Sequence, residues 1–189
     1  MTRSASDGRP GFSLGCEDGD GDAMKLRDAT GDDLPELHAL IESAYRGDSA
    51  RAGWSHEADL LDGERTDVAE LRALLANPAQ RLLLFDDGER PACCVALTHK
   101  GGGLVYLGLL TVDPGQQASG LGRMILAAAE DHARDELGAK RMEMTVIGLR
   151  AELIAWYERR GYAATGERRP FPIEGHDELE FVVLEKSLI

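Results

Sequence analysis

Apolar residues along this chain recur with two periods, and the switches between them mark out the elements. Met24 to Asp28 reads as a first short strand. Thr30-Gly-Asp-Asp33 is a capping signal for a helix whose inner face carries Leu34, Leu37, Ile41 and Ala44. Residues 46 to 65 show no period. Thr66 stands where it can cap a second helix through Leu71, Leu74 and Leu75, ended near Asn77-Pro78. Arg81–Phe85 and Ala92–Leu97, around Asp86-Asp-Gly88, make a hairpin pattern. Gly101–Gly103 turns the chain into a long strand from Leu104 to Val112, stopped by Asp113-Pro114 because proline cannot donate to a ladder.

The next helix carries Leu121, Met124, Ile125 and Ala128 inward, with Arg123, Glu130, Asp131 and Arg134 outward, and ends at Gly138. Arg141–Ile147 is a strand and Glu152–Tyr157 a helix broken by Gly161. Tyr162 opens another strand, and Leu179–Leu184 is the last. This order predicts an α/β sandwich around a mixed sheet. Residues 1–23 are rich in Gly, Ser and Asp and lack apolar periodicity, so a disordered N-terminal tail is expected, with one domain over 24–189. Asp18-Gly-Asp20-Gly-Asp22 starts like a calcium loop, but Ala23 and Ala29 stand where its glycine and closing glutamate belong.

Composition narrows the partners. A chain of 189 residues that is 43% hydrophobic can bury a real core. A formal charge of −13 argues against nucleic acid and mildly favours a cationic substrate by steering. No apolar run approaches the ~18 residues of a membrane span, and the first residues lack the apolar core of a signal peptide. Three cysteines, with Cys93 and Cys94 adjacent in a strand and facing opposite ways, read as free thiols in a reducing cytoplasm. The five histidines show no ligand spacing, so no metal is expected.

The chemistry concentrates after Asp113. A strand stops, a polar loop follows, and Gly120 and Gly122 leave the start of a helix without side chains. The first amides of a helix have no internal partner and carry partial positive charge, which makes an anion site. Ile125 stands where a dinucleotide fingerprint needs its third glycine, and no Gly-Lys-Ser/Thr follows. Gln117-x-x-Gly120-x-Gly122 resembles the pyrophosphate loop of the GNAT acyltransferase superfamily, Gln/Arg-x-x-Gly-x-Gly/Ala. Some 30 residues on, Arg150-x-x-Leu153-x-x-x-Tyr157-x-x-x-Gly161-Tyr162 resembles that superfamily's Asn-x-x-Ala-x-x-x-Tyr-x-x-x-Gly-Phe. Arg150 and Leu153 replace its asparagine and alanine.

The resemblance implies a mixed, mostly antiparallel central sheet, helices on both faces, and a V-shaped splay between two parallel strands. It implies acetyl-CoA as co-substrate and a small-molecule or protein amine as acceptor, with no nucleic acid or membrane partner; a homodimer stays open. The pantetheine would pair with the backbone of Leu110, Thr111 and Val112. The pyrophosphate would sit on the amides of Gln117, Ala118, Ser119, Gly120, Leu121, Gly122 and Arg123, with Arg150 nearby. Tyr157 is then the candidate acid for the departing thiolate. Glu143, mid-strand among Met142, Met144 and Val146, is a candidate base, with His56 and Glu57 as rivals and Trp54 as an acceptor wall. The Arg159-Arg160 and Arg168-Arg169 pairs read as solvated faces or as contacts to the 3′-phosphate of CoA. The rival functions are a non-catalytic acyl-CoA sensor on the same fold and a nucleotide-binding α/β protein.

Overall fold

A computed structural model describes residues 25–46, 63–86, 90–172, 175–176 and 178–189. The expected tail, the hairpin turn after Asp86, and Trp54, His56 and Glu57 lie outside the described residues.

The strands are β1 (Lys25–Asp28), β2 (Gln80–Asp86), β3 (Pro91–Gly101), β4 (Leu104–Val112), β5 (Arg141–Ile147), β6 (Ala163–Pro170) and β7 (Glu180–Ser187). They form one sheet in the order β1-β2-β3-β4-β5-β7-β6. β4 and β5 are the parallel pair; the other neighbours run antiparallel. This is the mixed sheet that the element order predicts.

Four α-helices are described: α1 (Leu34–Tyr45), α2 (Val68–Ala76), α3 (Leu121–Asp135) and α4 (Ala151–Glu158). The central strands are buried on both faces, which is why Arg81–Phe85 and Ala92–Leu97 read as unbroken apolar runs. Alternation then sorts the faces. Leu82, Leu84, Cys94 and Ala96 meet α1 and α2 through Leu37, Ile41 and Leu71. Leu83, Phe85, Cys93 and Val95 meet α3 through Ile125, Leu126 and Ala129, with Tyr157 of α4 in the same cluster. Cys93 and Cys94 therefore do point to opposite faces. Both thiols are buried, and burial pushes each up to about 12, so neither is a nucleophile at neutral pH.

Three local expectations are corrected. Asp67, not Thr66, caps α2: its carboxylate accepts from the Glu70 amide at 2.7 Å, while the Thr66 hydroxyl donates to the Glu70 side chain. Met124 faces outward, 40% exposed, because the inner stripe of α3 runs through Leu121, Ile125, Ala128 and Ala129. Glu130 turns partly inward, accepting from Lys186 Nζ at 2.6 Å and from the Tyr162 hydroxyl at 3.0 Å. No described helix is long and apolar enough to cross a membrane.

Candidate functional site

The parallel pair sets the geometry. β4 and β5 are in register only at Leu104/Arg141, Val105/Met142 and Tyr106/Glu143. Both strands run on without pairing, so a wedge opens between Leu107–Val112 and Met144–Ile147. Tyr106 and Thr145 hydroxyls, 2.7 Å apart, bridge it just beyond the last pair. On its other edge β4 carries a bulge: Ala96 pairs with Gly108 and Cys94 with Thr111, leaving an extra residue, and Leu109 takes φ +49°. Beyond the bulge the Tyr45 hydroxyl donates to the Leu110 carbonyl at 2.8 Å. Gln117 Nε2 lies 3.4 Å from the Val112 carbonyl.

A cavity of about 610 Å³ fills the wedge and reaches the start of α3. That start is built by the loop before it. The Asp113 carboxylate accepts from the Gly115 amide and the Ser119 hydroxyl donates to the Gln116 carbonyl, which folds the loop tightly. Ala118 and Gly120 then take φ +69° and +98°. The amides of Ala118, Gly120 and Gly122 are left without a hydrogen-bond partner among the described residues. Three free N–H groups at a helix N-terminus, with no side chain on two of them, can hold an anion. The glycines differ in role. A Cβ on Gly120 would meet only the Arg123 side chain, but its φ disfavours any L residue. A Cβ on Gly122 would stand 3.6 Å from the Trp156 ring and from Val112, in ordinary contact.

Leu110, Val112, Gln117, Ala118, Ser119, Gly120, Gly122, Arg123, Arg150 and Tyr157, all expected at the site, line this one cavity. Thr111 and Leu121 do not: Thr111 is buried with its hydroxyl on the Leu109 carbonyl, and Leu121 packs into the core under α3. Glu143 does not line it either. Arg169 grips its carboxylate with both terminal nitrogens, at 2.8 and 3.0 Å, so the cost of a carboxylate in this strand is met by pairing. A carboxylate so engaged, and off the cavity wall, is poorly placed to act as a base there.

Tyr157 is held by its ring. It lies edge-on to Trp156 and to Tyr162, with centroids 4.9 and 5.7 Å apart. Its hydroxyl has no hydrogen bond among the described residues. Burial pushes the phenol well above its ordinary range, with Tyr45 adding to the shift, so the proton stays on at neutral pH.

Sequence reasoning missed several lining residues. Tyr45 could have been found, since it lies four residues after Ile41 on the inner stripe of α1. Tyr106 alternates with Val105 and Leu107 along β4, which puts it on the opposite face from them. Glu64 had no signal. It is the one carboxylate lining the cavity among the described residues, and no hydrogen bond or ion pair engages it there. Glu42 holds the neighbouring segment to α1 by accepting from the amides of Arg65 and Thr66 at 2.8 and 3.0 Å. Arginines 46, 65, 123, 150 and 160 also line the cavity, so its lining among the described residues is rich in cations within an acidic chain. No cluster of metal-ligating side chains occurs among the described residues.

Solved structures share this architecture. A chimera of the spermidine N-acetyltransferase from Vibrio cholerae and hSSAT is 16% identical and superposes with a TM-score of 0.67 over 87% of this chain and 95% of that one. The ribosomal-protein-S18-alanine N-acetyltransferase from Escherichia coli is 14% identical, with a TM-score of 0.66 over 87% and 94%. The smu.2055 protein of Streptococcus mutans is 11% identical, with a TM-score of 0.68 over 88% and 100%. At these identities the likeness is one of fold. No curated protein sequence matches significantly. The model of the acetyltransferase (GNAT) family matches residues 35–162, which span both motifs and the strands of the wedge. The chain belongs to the GNAT acetyltransferase family.

Proposed function

We propose that this chain is an acetyl-CoA-dependent N-acetyltransferase that transfers the acetyl group directly to a primary amine in a ternary complex. The observation that carries this reading is the wedge between β4 and β5, which leads from three unpaired amides at the start of α3 to the unpartnered hydroxyl of Tyr157. Such a cleft suits a long ligand with an anionic end and a reactive thioester. The pyrophosphate would lie on the cradle of Ala118, Gly120 and Gly122, and the pantetheine along Leu110–Val112. There its amides can take over the carbonyls now bonded to Tyr45 and Gln117.

The acceptor must shed a proton before attack. For an amine of pKa ~10.4 at neutral pH that costs about 4–5 kcal/mol. Glu143, held by Arg169, does not suit that task. It falls to Glu64, or to His56 or Glu57 of the preceding segment, directly or through water. The nitrogen then forms its bond to the thioester carbon, the C–S bond breaks, and Tyr157 donates a proton or hydrogen bond to the departing sulfur.

Two experiments test this. Acetyl-CoA in hundredfold excess over its Kd should stabilise the protein by about 2.7 kcal/mol, while NAD should not. Thiol release should appear when an amine panel, including spermidine and an alanine-starting peptide, is added with acetyl-CoA. Stabilisation without release from any amine would point to a non-catalytic acyl-CoA sensor. Stabilisation by NAD alone would overturn the reading of the loop.

A further inference from the structure

We propose that the acceptor end of the cavity takes a primary amine carrying an aryl group, whose ring lies against Phe171 and Phe181 while its ammonium faces Glu64. This rests on the reading of the chain as an acetyl-CoA-dependent N-acetyltransferase, and it names the acceptor class which that reading leaves open.

The register of the sheet places the two phenylalanines. Gly108 pairs with Ala96, which packs under α1, so Gly108 and Tyr106 of β4 face the α1 side of the sheet. The Tyr106 hydroxyl meets Thr145 of β5 across the wedge. Ile147, next after Thr145 on the same face, pairs with Phe181 of β7. Phe171 follows β6; its ring centroid lies 5.1 Å from that of Phe181, with the His176 ring edge-on at 6.1 Å. With Ile147 and Leu179 these two phenylalanines make a small apolar cluster apart from the two main cores.

Both phenylalanines are only half-buried, and both line the cavity. Paired rings left partly in water at a cavity wall are best covered by another ring, because apolar burial and the geometric preference of ring contacts act together. Neither ring, nor the Pro172 side chain beside them, offers an oxygen to an ammonium.

The charge stands on the other side of the wedge. Glu64 precedes α2, in a segment that Glu42 ties to α1 through the amides of Arg65 and Thr66. α1 packs over β3 and β4, whereas Phe171 and Phe181 belong to the β5-β7-β6 half of the sheet. Both walls belong to the cavity that also holds Tyr157 and the amide cradle. A carboxylate on one side and paired rings on the other fit an acceptor with one cationic end and one apolar end. A polyamine would instead lay a second ammonium against the rings, with no carboxylate there to meet it among the described residues.

The test measures thiol release from acetyl-CoA with 2-phenylethylamine, propylamine and spermidine, and with peptides starting in phenylalanine or alanine, on the wild-type chain, Phe171→Ala and Phe171→Leu. The peptide pair separates a chain terminus from a free arylalkylamine as the source of the ring. In at least one pair, wild type should show a kcat/KM for the ring-bearing amine about tenfold or more above its short partner and above spermidine. Phe171→Ala should lose that preference through a higher KM for the ring-bearing amine, with acetyl-CoA affinity by calorimetry unchanged, and Phe171→Leu should keep part of it. Equal kcat/KM within both pairs, or spermidine ahead of every ring-bearing amine, overturns the proposal and leaves the chain an acetyltransferase. An equal loss for ring-bearing and short amines in a folded Phe171→Ala protein also overturns it, since the ring would then serve packing alone. If Phe171→Ala does not fold, Phe171→Leu and the wild-type comparison still decide. Binding of acetyl-CoA with no release from any amine instead overturns the acetyltransferase reading on which this proposal stands.

Discussion

Replacing Tyr157 by Phe separates chemistry from packing, because only one oxygen is removed. The ring keeps its edge-on contacts to Trp156 and Tyr162. The lost hydroxyl has no bond among the described residues, so no protein group is orphaned, and stability should hold within about 0.5 kcal/mol. Loss of a general acid costs about 10²–10⁴-fold in rate. At about 1.36 kcal/mol per decade, that is roughly 2.7–5.4 kcal/mol of barrier. Thiol release measured at saturating amine should therefore show kcat lower by about a hundredfold or more, with acetyl-CoA affinity by calorimetry nearly unchanged. Tyr162→Phe is the contrasting case. Its hydroxyl bonds the Glu130 carboxylate at 3.0 Å, while Lys186 still holds the other oxygen. It should lose about 1–2 kcal/mol of stability, a few degrees of melting temperature, and leave kcat alone. A Tyr157→Phe enzyme with kcat within about threefold of wild type refutes the acid role. The thiolate, with a thiol pKa of ~8.5, would then leave unaided.

Three further outcomes follow from the geometry. Gly120→Val should weaken acetyl-CoA binding by about tenfold or more and cost about 1–2 kcal/mol of stability, since φ +98° suits no β-branched residue; Gly122→Ala, in ordinary contact at 3.6 Å, should bind and fold nearly as wild type. Unchanged affinity in Gly120→Val would dismiss the cradle. Glu64→Gln should raise the amine KM or lower kcat by about tenfold near neutral pH while acetyl-CoA affinity holds; a silent substitution returns proton transfer to the segment holding His56 and Glu57. His132 is buried in part, its Nε2 has no partner among the described residues, and burial lowers its pKa below 6.5. The unfolded chain then takes up that proton first as pH falls. The stability this residue contributes is present above about pH 6.5 and is lost below it, levelling off under the folded pKa. The melting temperature of His132→Asn should fall less steeply between about pH 7 and 5 than that of wild type, and parallel slopes would contradict it.

Local rules carried the reading as far as neighbours along the chain decide the outcome. Strand and helix periods were legible because Leu82/Leu84 and Leu83/Phe85 are sorted by alternation alone, and Ile41 by its helical spacing from Leu37. The cap of α2 was misplaced by one residue because Thr66 and Asp67 both carry acceptor oxygens. What decides between them is distant: the Thr66 amide is held by Glu42, 24 positions earlier. Glu143 looked like a functional carboxylate because its strand neighbours are apolar. Its partner Arg169 lies 26 positions on, in a strand that meets β5 only through β7. The Trp156–Arg160 contact, by contrast, has the i,i+4 spacing of neighbours on a helix face and could have been read from the sequence.

Net charge misleads when it is carried from the whole chain to its cavity. A charge of −13 suggests a chain that draws cations and repels phosphate. The cavity lining differs in composition from the whole: among the described residues, five arginines line it against one carboxylate. A Debye length of about 8 Å at physiological salt explains how both statements hold, since remote surface carboxylates are screened while charges in the wedge are not. The exterior and the cavity suit two ligands. The acidic exterior can gather an ammonium-bearing acceptor, whereas the arginines and bare amides can hold a polyanion. Glu64, at the wall of the same cavity, is where the cationic acceptor would meet a matching charge.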